Sequence, residues 1–163
     1  MHSQAAANLK ALIESTDDLI WSVDLEGRLI AYNTALATNI RLTFHAELAI
    51  GMRFHELFPP DRTECWQEYY RKAIQEGAFQ TEYTLLAGST LELSFNPIDS
   101  EGTVSGVSVF GRDITARKLD EETLRHLAAA VESSQDAIIT HTPGGQILSW
   151  NRASERIFSS FAG

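Results

Sequence analysis

The sequence holds a single cysteine, Cys65, so no disulfide can close within the chain and nothing in it calls for an oxidising compartment. No apolar run approaches the roughly 20 residues needed to cross a bilayer. The N-terminus lacks the charged-then-apolar layout of a signal peptide. Basic residues are few, 13 against 22 acidic, and the net charge of −9 is spread along the chain rather than gathered in a tail. That excess removes the basic footprint by which nucleic acid or an anionic membrane surface is held. The expected setting is the cytoplasm, with no nucleic acid and no membrane contact through this segment.

Chemistry-bearing motifs are also missing. No Walker loop, nucleophile elbow or zinc motif occurs. The histidines His2, His45, His55, His126 and His141 show no metal-ligand spacing. Asp17-Asp18 and Asp24-x-Glu26 are paired carboxylates, but they fall beside strand ends and turns, where acidic residues serve the turn itself. No catalytic residue and no metal site are expected, and the chain is not read as an enzyme.

A hydrophobic content of 44% against 21% charged residues is enough to bury a core, and 163 residues leave room beyond one ordinary domain. An internal repeat explains the surplus. Glu14, Ser15, Asp18 and Ile20 recur as Glu132, Ser133, Asp136 and Ile138, an offset of 118 residues. At the same offset Gly27 meets Gly145, Asn33 meets Asn151, Ala35 meets Ala153, and the aromatic Tyr32 meets Trp150, with no gap. That spacing is too long for a solenoid and suits one small domain plus a linker. The second copy reaches Gly163 before any equivalent of residues 45–113.

Periodicity parses the first copy. Ala5 to Ser15 reads as an amphipathic helix with Leu9, Leu12 and Ile13 on one side. Leu19 to Asp24 and Arg28 to Asn33 read as strands joined at a glycine turn, and Asn33 as the N-cap of the next helix. Short helical pieces run to Phe58; Pro59-Pro60 then interrupts the chain, with Asp61 and Glu64 in capping-box spacing. The helix to Glu76 sets Trp66, Tyr69, Ala73 and Ile74 on one stripe. Three alternating strands follow, carrying Phe79, Tyr83 and Leu85, then Leu91, Leu93 and Phe95, then Val107, Val109 and Gly111. From Asp113 to about Val131 the pattern returns to helix. Leu124, Leu127 and Val131 have coiled-coil spacing there, broken upstream by Arg117 and Asp120. The expected fold is α+β, a five-stranded antiparallel sheet with helices on one face, followed by a linker helix.

Three stretches give that order a family. Residues 24–33 (DLEGRLIAYN) look like the strand–turn–strand signature of the PAS domain, residues 51–59 (GMRFHELFP) like the segment leading to its long helix, and residues 111–118 (GRDITARK) like its closing strand. The chain thus resembles the PAS/PAC sensors of bacterial signal-transduction proteins such as two-component systems, over roughly residues 12–118. Only the first signature returns in the second copy. The resemblance implies an N-terminal helix over 1–15, a PAS domain over 16–113, a linker helix over 114–131 and a truncated second PAS domain over 132–163.

It also implies an apolar pocket that could hold a small ligand, lined by Phe54, Leu57, Trp66, Tyr69, Tyr83, Leu93, Phe95, Val107 and Val109; the alternative is that these side chains fill the core. The cofactor is unknown. The cysteine-bearing flavin motif of light sensors is absent, and the long helix has no histidine to ligate haem, only Cys65. Asn33, Asp113 and Thr115 are the expected structural and relay residues. The implied function is a sensory relay module upstream of a histidine kinase or diguanylate cyclase, or else a ligand-free dimerisation unit. A homodimer through the sheet face, the N-terminal helix and the linker helix is expected.

Overall fold

The computed structural model describes residues 2–85 and 87–159, and the chain forms two compact units, Met1–Thr115 and Ala116–Gly163. In the first, helix α1 (His2–Glu14) precedes strands β1 (Leu19–Asp24) and β2 (Leu29–Tyr32), helix α2 (Thr34–Phe44), a 3-10 turn at Phe54–Leu57 and helix α3 (Pro60–Glu76). Strands β3 (Phe79–Thr84), β4 (Thr90–Ser100) and β5 (Thr103–Asp113) complete one sheet in the order β2-β1-β5-β4-β3, every neighbouring pair antiparallel. This is the expected five-stranded α+β fold.

Alternation puts one face of that sheet inside. Trp21 and Val23, Leu91, Leu93 and Phe95, and Val107 and Val109 are all buried, while Ser22, Ser94 and Ser108 between them are more open. The central pairing of β1 with β5 needs a glycine at 106. A Cβ there would lie 2.2 Å from the Val23 carbonyl oxygen.

Helices α2 and α3 bring their buried positions to the same core: Leu36 and Ile40, and Trp66, Tyr70 and Ala73. One detail of the helices differs from the sequence reading. Asp61 does not cap α3. The capping position is Pro59, whose extended backbone leads into Pro60 at the first helical residue, and Asp61 falls inside the first turn, where a carboxylate faces the helix dipole. On α1, Leu9 is 62% and Leu12 69% exposed.

Asn33 does more than cap α2. Its Oδ1 accepts from the backbone N–H of Leu36 (3.1 Å) and of Ile20 (3.1 Å). Its amide nitrogen donates to the carbonyls of Ile13 (3.0 Å) and Asp18 (2.9 Å). One fully buried side chain therefore joins the end of α1, the turn before β1, β1 itself and the start of α2. Glu14 reinforces the joint by accepting from the Thr34 N–H (2.9 Å), and that bond holds its carboxyl below the usual range.

The second unit holds helix α4 (Thr115–Ser133), which starts in the first unit, strands β6 (Ile139–His141) and β7 (Ile147–Trp150), paired antiparallel, and helix α5 (Arg152–Ser159). Helix α4 runs two residues past the 114–131 span read from sequence and starts one residue later. The repeat is reproduced bond by bond. Asn151 accepts from Ile138 (2.9 Å) and Ser154 (3.1 Å) and donates to Val131 (2.9 Å) and Asp136 (3.0 Å), while Glu132 accepts from the Arg152 N–H (3.3 Å). Each partner lies 118 residues after its counterpart around Asn33. The two hairpins share a register shift at the same place, Ser22/Val23 and Thr140/His141.

If the amide is a four-way joint, Asn33→Ala should cost about 3 kcal/mol in urea unfolding, because it strands two N–H groups and two carbonyls. Asn33→Asp keeps the acceptor but turns a carboxylate oxygen on the carbonyls of Ile13 and Asp18, and should cost at least as much. A loss for Asn33→Ala near 1 kcal/mol would reduce the residue to a simple helix cap.

Candidate functional site

The interior between sheet and helices is built around Trp66. Its ring stacks on Phe58 with centroids 4.9 Å apart and 21° between planes, and meets Tyr83 at 5.0 Å, Trp21 at 5.8 Å and Phe54 at 6.0 Å. On the far side of the cluster Phe79 stacks on Phe95, 4.9 Å apart. Rings offset or edge-on in this way bury large apolar areas. The arrangement leaves a cavity of about 20 Å³, bordered by Leu19, Leu36, Ile40, Phe44 and Leu91 as well as by the rings. That is space for about one water, and small-molecule sites run to roughly 300–1,000 Å³.

All nine residues expected to line a pocket belong to this cluster. Phe54, Trp66, Tyr83, Leu93, Phe95, Val107 and Val109 are buried, and Leu57 and Tyr69 pack at its margin, half-buried. Cys65 is half-buried beside it. Tyr70 is the residue the sequence reading passed over. It is 5% exposed and its hydroxyl accepts from Trp21 Nε1 (3.1 Å), while burial pushes its phenol well above the ordinary range. Spacings of 66-69-73 and 66-70-73 both trace a helical stripe, so period alone does not choose between Tyr69 and Tyr70.

Among the described residues two buried side-chain nitrogens have no hydrogen-bond partner, Trp66 Nε1 and His55 Nδ1. Burial lowers the His55 pKa; Glu56 opposes that shift and Arg53 adds to it. His55 was considered in the sequence only as a possible metal ligand, and nothing in its neighbours marks it as buried. Among the described residues no group of three or more His, Cys, Asp or Glu side chains could hold a metal.

The third feature is the exit from the sheet. Asp113 Oδ1 accepts from the Thr115 N–H (2.8 Å) and from the Thr115 hydroxyl (2.5 Å). The same hydroxyl oxygen accepts from the Thr90 N–H (2.9 Å), and the Ile114 N–H donates to the Thr90 carbonyl (2.9 Å). Ile114 is buried. Thr115, the first residue of α4, and Ile114 just before it are thereby bonded to the first residue of β4, and Asp113 and Thr115 act as one unit.

Among curated proteins none matches the chain. A family model described as "PAS fold" matches residues 13–119, and one described as "PAS domain" matches residues 125–162. Solved structures with the same fold include the PAS domain of a protein from Colwellia psychrerythraea, at 24% identity and a TM-score of 0.53, over 69% of this chain and 98% of that one. The PAS domain of BvgS from Bordetella pertussis is similar at 21% identity and a TM-score of 0.56, over 78% of this chain and 98% of that one. A sensory box sensor histidine kinase from Vibrio cholerae matches at 19% identity and a TM-score of 0.50, over 69% and 91%. The second family match falls on the hairpin and helix that repeat the Asn33 joint around Asn151, and the first spans more than half of the chain: this protein belongs to the PAS family of sensory modules.

Proposed function

We propose that the chain is a relay module of a cytoplasmic, multi-domain signalling protein of the histidine kinase or diguanylate cyclase type. In it a change in the sheet, brought about by a partner chain, passes into helix α4. The observation that carries this reading is the bonded exit of the sheet, where Asp113, Ile114 and Thr115 tie the start of α4 to Thr90. A shift of β4 against β5 then has a direct route into the helix, as a two-state relay requires. Residues 132–163 are taken as the opening of a second such module.

The filled interior favours a partner over a small ligand as the input. A ligand in the candidate pocket would need Trp66 or its neighbours to leave their places, because the cavity of about 20 Å³ admits no cofactor. The partner we propose is a second copy. Phe110 on the outer sheet face is 44% exposed, with the half-buried Ile20 paired to it. Leu9 and Leu12 on α1 are exposed, as are Leu124, Leu127 and Val131 at heptad spacing on α4.

The core reading is tested with indole. Calorimetry should find no indole binding to the wild-type chain, whereas Trp66→Ala should lose about 3–5 kcal/mol of stability and regain part of it with indole. Indole binding by the wild type would restore the ligand-pocket reading. For the junction, Asp113→Ala should cost about 1–2 kcal/mol and speed amide exchange at Ile114 and Thr115 while Leu93 and Val109 stay protected. Uniformly faster exchange would make Asp113 a general stability residue and no relay element. Sedimentation equilibrium should show a dimer that Leu127→Asp weakens by at least about tenfold, since the substitution sets two carboxylates against each other in an apolar seam. A monomer at high micromolar concentration would overturn the dimer.

A further inference from the structure

A second concave site lies on the outside of the first unit. It is an open cleft of about 570 Å³ between the β1–β2 turn, the 3-10 turn and one side of α3, a size ordinary for small-molecule sites. Leu25, Ile74 and the largely buried Tyr70 make up its apolar lining. Arg53 and Arg71 line it, with the amides of Gln67 and Gln75 and a single carboxylate, Glu26.

The two guanidiniums are notable in a chain of net charge −9. Among the described residues each is ion-paired with a carboxylate three residues away on its own segment, Arg53 with Glu56 at 3.4 Å and Arg71 with Glu68. All four side chains are about half exposed or more, and exposed pairs of this kind exchange readily for a better partner. A guanidinium fork matches a carboxylate in shape as well as charge.

His55 also lines the cleft. It is 4% exposed, and its Nδ1 is one of the two orphaned nitrogens among the described residues. The turn closes on it through Gly27, which has φ +75°. A Cβ on Gly27 would lie 2.9 Å from His55 Nδ1 and Cε1, so backbone presses on imidazole with nothing between. His55 therefore supports the turn that forms one wall of the cleft.

We propose that this cleft binds a small organic monocarboxylate, with its carboxylate on Arg53 and Arg71 and its apolar body against Leu25, Ile74 and Tyr70. Glu26 works against a multiply charged anion, and the apolar walls give bare phosphate nothing to bury. The site opens outward, shares Tyr70 and Ile74 with the edge of the interior core, and does not depend on the relay reading.

Hexanoate is the probe, with butyrate, hexanol and inorganic phosphate as comparisons, titrated into the full chain by calorimetry and amide NMR. Hexanoate should bind saturably, butyrate about tenfold more weakly for its two missing methylenes, and hexanol and phosphate weaker still. Shifts should gather at Leu25–Gly27, Arg53–His55 and Gln67–Gln75, together with the His55 ring signals. R53Q and R71Q, both at exposed side chains, should each weaken hexanoate by about tenfold. The proposal fails if hexanoate does not saturate, if the R53Q/R71Q double variant binds like the parent, if phosphate binds as tightly, or if the shifts fall instead around Phe58, Trp66 and Leu91.

Discussion

One buried amide organises the entry to this fold. Between residues 13 and 36 the chain leaves a helix, turns, makes two strands and starts another helix, and each change strands backbone groups that no regular element satisfies. A primary amide offers two donors and an acceptor in one plane. Asn33 directs the donors at the carbonyls of Ile13 and Asp18 and the acceptor at the N–H groups of Ile20 and Leu36. Aspartate would lack the donors, and glutamine would reach too far by a methylene. The side chain is fully buried, so none of these groups has water as an alternative. The same solution recurs at Asn151 although the residues around it differ, Ser154 standing where the first copy has Leu36.

The division between what could be read from the sequence and what could not follows the reach of the interactions. Strands β3, β4 and β5 are legible because period 2 is local, and Leu91, Leu93 and Phe95 face inward as alternation requires. The capping role of Asn33 is legible for the same reason, since Leu36 is three residues on. Its bonds to Ile13 and Asp18 span 20 and 15 residues and leave no trace in spacing. The repeat was the one signal that could have exposed them, because Glu14, Asp18 and Asn33 recur together.

The candidate site divides likewise. Membership of the aromatic core followed from pattern, but its occupancy did not. Whether nine apolar side chains enclose a void or close on one another depends on how Trp66 meets Phe58 and Tyr83, which is a matter of ångströms. Asp61 misled for a physical reason: capping spacing presumes a free backbone upstream, and Pro59-Pro60 had already fixed the helix start. His55 gave no signal because burial of a lone imidazole depends on Gly27 closing over it from 28 residues away.

Helix α4 is where these threads meet. Its start is bonded through Thr115 to Thr90 of the first sheet, and near its end the Val131 carbonyl accepts from Asn151, as Ile13 near the end of α1 accepts from Asn33. It therefore serves as the outgoing helix of one copy and the entering helix of the next. A helix free at one end could absorb a movement by fraying, because terminal hydrogen bonds are the cheapest to open. With its first turn and its last turn both held by side-chain bonds, fraying breaks a satisfied network at either end.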